Sequence, residues 1–170
     1  MSLNKKALFE FLEEVDNELN RKITLVAVGG TAMTLIDVKP STIDVDFTGP
    51  GEDIDEFQRV LKNMPHGFEV HCWKGGLVFS QILPEDYLRK SSQIKTRMKN
   101  IMLKALQPVD IVATKIGRLD ERDWEDIENC VKEFKLKKDQ IVKRAKQVEY
   151  VGREENYQIN LESVIRKLFK

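Results

Sequence analysis

Residues 28–47 read VGGTAMTLIDVKPSTIDVDF, and what they form decides the fold. Gly29 and Gly30 stop the apolar run ITLVAV (23–28), whose β-branched composition and length predict a buried strand. A Gly-Gly turn lets backbone approach a ligand closely, and the free N–H groups of a following helix favour an anion. Thr31 to Ile36 is expected to be that short helix. Thirteen residues then separate Gly30 from Asp44. The segment TIDVDF (42–47) alternates, so Ile43, Val45 and Phe47 are expected on one strand face and Asp44 and Asp46 on the other. Carboxylates at that spacing lie roughly 6–7 Å apart along the strand and can hold one or two Mg²⁺ ions against a nucleotide's phosphates. Each half alone is common, as an ordinary turn or a solvated strand face. Their order, with a short helix between them, points to one site.

Outward from this stretch, Leu8, Phe11, Leu12, Val15 and Leu19 recur at helical spacing and predict an amphipathic helix over 4–20. After TGPG (48–51), Ile54, Phe57, Val60, Leu61 and Met64 predict another. FEVHCW (68–73) and LVFSQIL (77–83) are expected to pair as a hairpin, with KGG (74–76) supplying the turn. NIMLKAL (100–106) is a further strand, and Pro108 suits the first turn of a helix running through Arg118. Trp124, Ile127, Val131 and Phe134 form a core stripe on the next helix. Ile141, Val142, Ala145 and Val148 mark another helix, and a last one holds Leu161, Val164, Ile165, Leu168 and Phe169 with Asn160 as its cap. The expectation is an α/β (α+β) fold. A small mixed β-sheet core flanked by helices spans 1–107, and a C-terminal helical bundle, 108–170, packs on it as an all-helical half.

The bulk numbers narrow the class. At 170 residues the chain can bury a core without metals or disulfides. Lys plus Arg and Asp plus Glu both count 28, so no global charge draws it to nucleic acid or membrane. Cys72 and Cys130 stand 58 positions apart and read as reduced thiols. No apolar run approaches the ~20 residues needed to span a bilayer, and the acidic N-terminal stretch does not read as a signal peptide. A cytoplasmic protein without membrane contact is expected.

VGGTA followed by TIDVDF resembles the signature of the nucleotidyltransferase superfamily (DNA polymerase β-like fold), in which a G-[GS] turn precedes a D-h-[DE]-h strand. Within it the chain is most similar to the prokaryotic group of abortive-infection type toxins and related minimal enzymes, which pair a GG[ST]A turn with a T-x-D-[IV]-D strand. DIVATKIGRLDERDWEDI (110–127) matches their later lysine and RD…D segment. The likeness covers roughly residues 23 to 127, close in these blocks and loose between them. It implies that Gly29, Gly30 and Thr31 contact the nucleotide phosphates, and that Asp44 and Asp46, behind Thr42, ligate Mg²⁺ (or Mn²⁺). Lys115 would face the triphosphate. Arg118, Arg122, Asp123 and Asp126 would support the site. The activity implied is transfer of a nucleotidyl group from a nucleoside triphosphate to a hydroxyl on tRNA, another RNA or protein, with a cognate antitoxin as a partner.

The match departs at the third carboxylate that such enzymes carry on a neighbouring strand. FEVHCW offers Glu69, with His71 on the same face as an alternative base and a water-exposed polar face as the plain reading. His66 reads as a loop residue. Arg89, Lys90, Lys95, Arg97 and Lys99 read as a solvated segment or as contacts for an RNA backbone.

Overall fold

ITLVAV does form the middle of the sheet, and the elements assemble around it. In the computed structural model, which describes residues 2–170, β1 (Leu3–Asn4) leads into α1 (Lys5–Glu18). The Asn4 side chain accepts the Ala7 N–H at 2.9 Å as the helix cap. Leu8, Phe11, Leu12 and Val15 are the buried stripe of α1. Next come β2 (Ile23–Ala27), α2 (Gly29–Leu35), β3 (Ser41–Thr42), β4 (Val45–Thr48), α3 (Gly51–Leu61) and β5 (Val70–Cys72). The chain continues through β6 (Leu77–Val78), β7 (Gln81–Ile82), α4 (Tyr87–Lys90), β8 (Ser92–Gln93) and β9 (Ile101–Ala105). It ends with α5 (Pro108–Ile116), α6 (Glu121–Phe134), α7 (Lys138–Gln147), β10 (Glu149–Tyr150) and α8 (Glu154–Leu168).

The main sheet is mixed, in the order β5-β4-β2-β9-β8. Strand β2 runs parallel to β9 and antiparallel to β4, while β4 runs parallel to β5. Topology alone therefore brings the start of β4 beside the end of β2, and so sets the paired aspartates against the glycine turn. The parallel pairing of β4 with β5 puts His71 opposite Asp46.

The aspartate segment departs from the uninterrupted strand expected of it. Ser41 and Thr42 pair with β1, the chain leaves the strand at Ile43 and Asp44, and β4 begins at Val45. Ile43 is 58% exposed and does not share the buried face of Val45 and Phe47. The expected hairpin of FEVHCW with LVFSQIL is not formed either. β5 completes the main sheet, whereas LVFSQIL folds back on itself as β6–β7. That hairpin and β10 make a separate three-stranded sheet, so the region after residue 107 is not wholly helical.

Helix α5 is buried from Asp110 to Ile116 against α2, α6, α7 and α8. Burial of charged groups demands partners, and each arrives from a neighbouring helix. Arg144 of α7 grips Asp110 through Nε at 2.6 Å and Nη2 at 3.0 Å. Lys115 meets Asp123 and Asp126 of α6. Asn160 lies within α8 rather than at its cap, since the helix starts seven residues earlier than the apolar pattern alone implies. Its Nδ2 donates to the Ile116 carbonyl at 2.8 Å, closing the C-terminal end of α5. On α6, Ile127 is buried, but Phe134 is exposed and Trp124 is half-buried beneath the Lys167 ammonium, 4.4 Å from the ring centroid. Both cysteines are free thiols, and among the described residues no helix is long and apolar enough to cross a membrane.

Candidate active site

Gly29 adopts φ +53, a left-handed conformation that strains any residue with a Cβ. Gly30 is constrained by space instead: a Cβ there would stand 2.9 Å from the Thr42 hydroxyl oxygen. Both glycines thus let α2 start tight against the aspartate segment.

Thr31 then fastens the two together. Its hydroxyl donates to the Asp44 carbonyl at 3.1 Å and accepts the Asp46 N–H at 2.9 Å. The Thr42 hydroxyl donates to the same Asp44 carbonyl at 2.8 Å. The Val28 N–H completes the clamp by donating to the Asp46 carbonyl at 3.1 Å. The Thr31 side chain, expected on a phosphate, is engaged in holding the aspartates.

Gly30, Thr42, Asp44 and Asp46 border a cleft of about 460 Å³. One wall is acidic. Ligand atoms of Asp44, Glu69 and His71 all lie within 4.8 Å of one another. His71 Nδ1 is 2.8 Å from Asp46 Oδ1, and His71 Nε2 is 3.3 Å from Glu69 Oε2. Burial raises the Asp46 carboxyl above its ordinary range, with the hydrogen bond to His71 pulling the other way. That same bond with Asp46 raises the His71 imidazole. Carboxylate oxygens with one imidazole suit a divalent cation such as Mg²⁺ or Mn²⁺, so the donor set fits the metal that the aspartate motif implies. Asp46, expected to share the ion directly with Asp44, stands beside this cluster and meets it through its bond to His71.

The opposite wall is basic. Lys115 is 3% exposed, with Nζ 2.9 Å from Asp126 and 3.4 Å from Asp123. Lys39 reaches Asp126 at 3.2 Å. Arg118 makes a two-pronged bond to Asp123, Nε at 2.7 Å and Nη2 at 2.8 Å. Although burial disfavours its charge, the Arg118 guanidinium and Lys115 hold the Asp123 carboxyl below its ordinary range. Arg118 and Arg122 line the cleft with Lys115.

The cleft therefore gathers Gly30, Thr42, Asp44, Asp46, Lys115, Arg118, Arg122 and Asp126 of the residues singled out in the sequence. Gly29, Thr31 and Asp123 are buried behind it, and Glu69 joins the acidic wall through His71. Lys39 and Phe79 are among the lining residues that the sequence does not single out. Lys39 sits just ahead of the ST that opens β3, in a stretch with no periodicity. Phe79 sits at a hairpin turn with φ +53, where local chemistry favours Gly or Asn.

Solved structures with this fold include an antigenic nucleotidyltransferase-like protein from Paracoccidioides brasiliensis, at TM-score 0.56 and 15% identity, covering 98% of this chain and 91% of that one. Another is ANT(2")-Ia in complex with adenylyl-2"-tobramycin, at TM-score 0.51 and 14% identity, covering 94% of this chain and 96% of that one. At these identities the likeness is one of fold. Among curated proteins none matches the sequence. Residues 5–168 match the family described as "Nucleotidyltransferase of unknown function" (DUF6036), and with that span covered the chain belongs to this nucleotidyltransferase family.

Proposed function

We propose that the protein moves a nucleotidyl group from a nucleoside triphosphate to a hydroxyl of an RNA, such as tRNA, or of a protein, releasing pyrophosphate in the cytoplasm. The observation that carries this reading is the pairing of an acidic wall, Asp44, Asp46, Glu69 and His71, with a basic wall, Lys115, Arg118 and Arg122, across one cleft. Asp44 and Asp46 would hold Mg²⁺ or Mn²⁺, which when bound offsets charge on the phosphates and the leaving group. The backbone of Gly29, Gly30 and Thr31 positions a phosphate. Lys115 supplies a positive charge whose place is set by Asp123 and Asp126. Glu69, or His71 in its place, would take the proton of the acceptor hydroxyl. The likeness of the glycine turn and the T-x-D-[IV]-D segment to the toxin group supports the finer reading of a toxin with a cognate antitoxin.

A second reading has its own observation. Opposite Asp46 on β5 stands an imidazole hydrogen-bonded to it, not a carboxylate. A protein that binds nucleotide or a partner without turnover would tolerate this.

The test is incubation with α-labelled nucleoside triphosphates, Mg²⁺ or Mn²⁺, and separate panels of tRNA, protein and small polyhydroxylated acceptors. Small acceptors belong in the panel because ANT(2")-Ia is complexed with an adenylylated one. Transfer is expected in one panel and lost in Asp44→Asn. Binding of the triphosphate with no label transferred to any acceptor favours the second reading.

A further inference from the structure

Among the described residues, four other than glycine have positive φ: Asp37, Phe79, Leu119 and Lys135. Two need no special explanation. Aspartate tolerates the left-handed region, and Lys135 is the C-cap of α6, where that conformation is routine. The other two, Phe79 and Leu119, are bulky side chains at strained positions. Both adjoin Arg118: Leu119 follows it in the chain, and the Phe79 ring lies under its guanidinium, 4.9 Å from carbon to centroid.

Phe79 is the first residue of a two-residue turn between β6 and β7, with Val78 paired to Gln81 across it. Glycine or asparagine would take this conformation without strain. The ring's surroundings indicate what the phenylalanine contributes. It packs edge-on against Trp73, with centroids 4.9 Å apart, and a Cβ on Gly29 would stand 3.6 Å from it. One edge of Arg118 is fixed by the two bonds to the fully buried Asp123 and one face by the ring. The remaining amino group, Nη1, has no protein partner among the described residues.

We propose that Phe79 is a positioning residue: it clamps Arg118 against Asp123 so that the free edge of the guanidinium is a preset donor for the triphosphate anion. The proposal rests on the nucleotidyl-transfer reading. A planar guanidinium held on one edge and one face loses little freedom on binding an oxyanion, which is the advantage a clamp gives.

The test compares wild type with Phe79→Ala, Phe79→Gly and Phe79→Tyr. Each is titrated with the four nucleoside triphosphates and with inorganic tripolyphosphate, in Mg²⁺, and each is melted. Glycine suits the turn and alanine does not, so the Gly variant melts above the Ala variant by a few degrees. Both lack the ring, so both bind the triphosphate group roughly tenfold more weakly than wild type. The Tyr variant keeps the ring and restores binding. Affinity that follows Tm instead, with the Gly variant binding better than the Ala variant, makes the ring merely structural and overturns the proposal. Unchanged affinity in both also overturns it. A wild type that binds tripolyphosphate but no nucleoside triphosphate sinks the nucleotidyl-transfer reading, while the Phe79 comparison is still read with tripolyphosphate. A wild type that binds neither overturns both.

Discussion

Thr31 holds Asp44 and Asp46 in place through one hydroxyl that both donates and accepts. The site is buried, so Thr31→Val leaves the Asp46 N–H without a partner, while the Asp44 carbonyl keeps Thr42, and is expected to cost about 1–3 kcal/mol. Thr31→Ser keeps both bonds and most of the stability; chemical denaturation of the two variants checks this. Gly30 makes a second prediction. Gly30→Ala drives a Cβ to 2.9 Å from the Thr42 oxygen and should displace the clamp. Adding Thr42→Ala removes that oxygen and leaves carbon at 3.7 Å, so the double variant should be more stable than Gly30→Ala alone. At this scale the sequence is informative wherever chemistry and spacing coincide. The glycines, Asp44 and Asp46 stand out in the chain by residue type and position, whereas Lys115 stands out only through the resemblance to a known signature. Lys39 and Phe79 do not, because what brings them to the cleft is a loop path and a strained turn rather than a pattern.

At the scale of elements, the ion pairs between helices are the most testable features. Asp110 is wholly buried and bound twice by Arg144. Asp110→Ala leaves the buried guanidinium with only Asp86 and Gln147 at Nη1, and should cost about 3 kcal/mol in a denaturant titration. Replacing both partners, as Asp110→Leu/Arg144→Met, should cost less than the single change. The pairing of α5 with α6 carries a pH signature. Asp123 has a depressed pKa in the folded protein, so its contribution is fully present above the unfolded carboxyl pKa and is lost as pH falls through the folded value. Thermal melts from neutral to acid pH should show a smaller decline for Asp123→Asn than for wild type. Helix periodicity makes most of these elements legible, since apolar stripes such as Leu8, Phe11, Leu12 and Val15 repeat over several turns. Short strands are not legible in the same way. KGG looks like a turn between two strands, yet the choice of β4 over β6 as the partner of β5 is decided by long-range pairing that local spacing does not encode. Asn160 fails as a cap for the same reason, its partner being the end of a helix far away in sequence.

At the scale of the molecule, one cleft is lined by Asp44, Asp46 and His71 from the sheet and by Lys115, Arg118 and Arg122, with Asp126 among them, from the helical layer. The main sheet supplies the acidic wall through β4 and β5, and the helical layer supplies the basic wall through α5 and α6. Neither wall alone would bind a metal-loaded triphosphate well, because one lacks cations for the phosphates and the other lacks ligands for the metal. That division of labour is only half visible in the sequence. The motif blocks lie far apart along the chain, and the resemblance to a known signature is what joins them.

The most direct measurement is titration calorimetry of the four nucleoside triphosphates, with and without Mg²⁺, on wild type and on Asp44→Asn/Asp46→Asn. The two-walled cleft predicts Mg²⁺-dependent binding of at least one triphosphate by wild type, lost in the double variant. Binding that is indifferent to Mg²⁺ and to both aspartates, or no binding by wild type, would contradict the account and leave the paired aspartates as the polar edge of an ordinary strand.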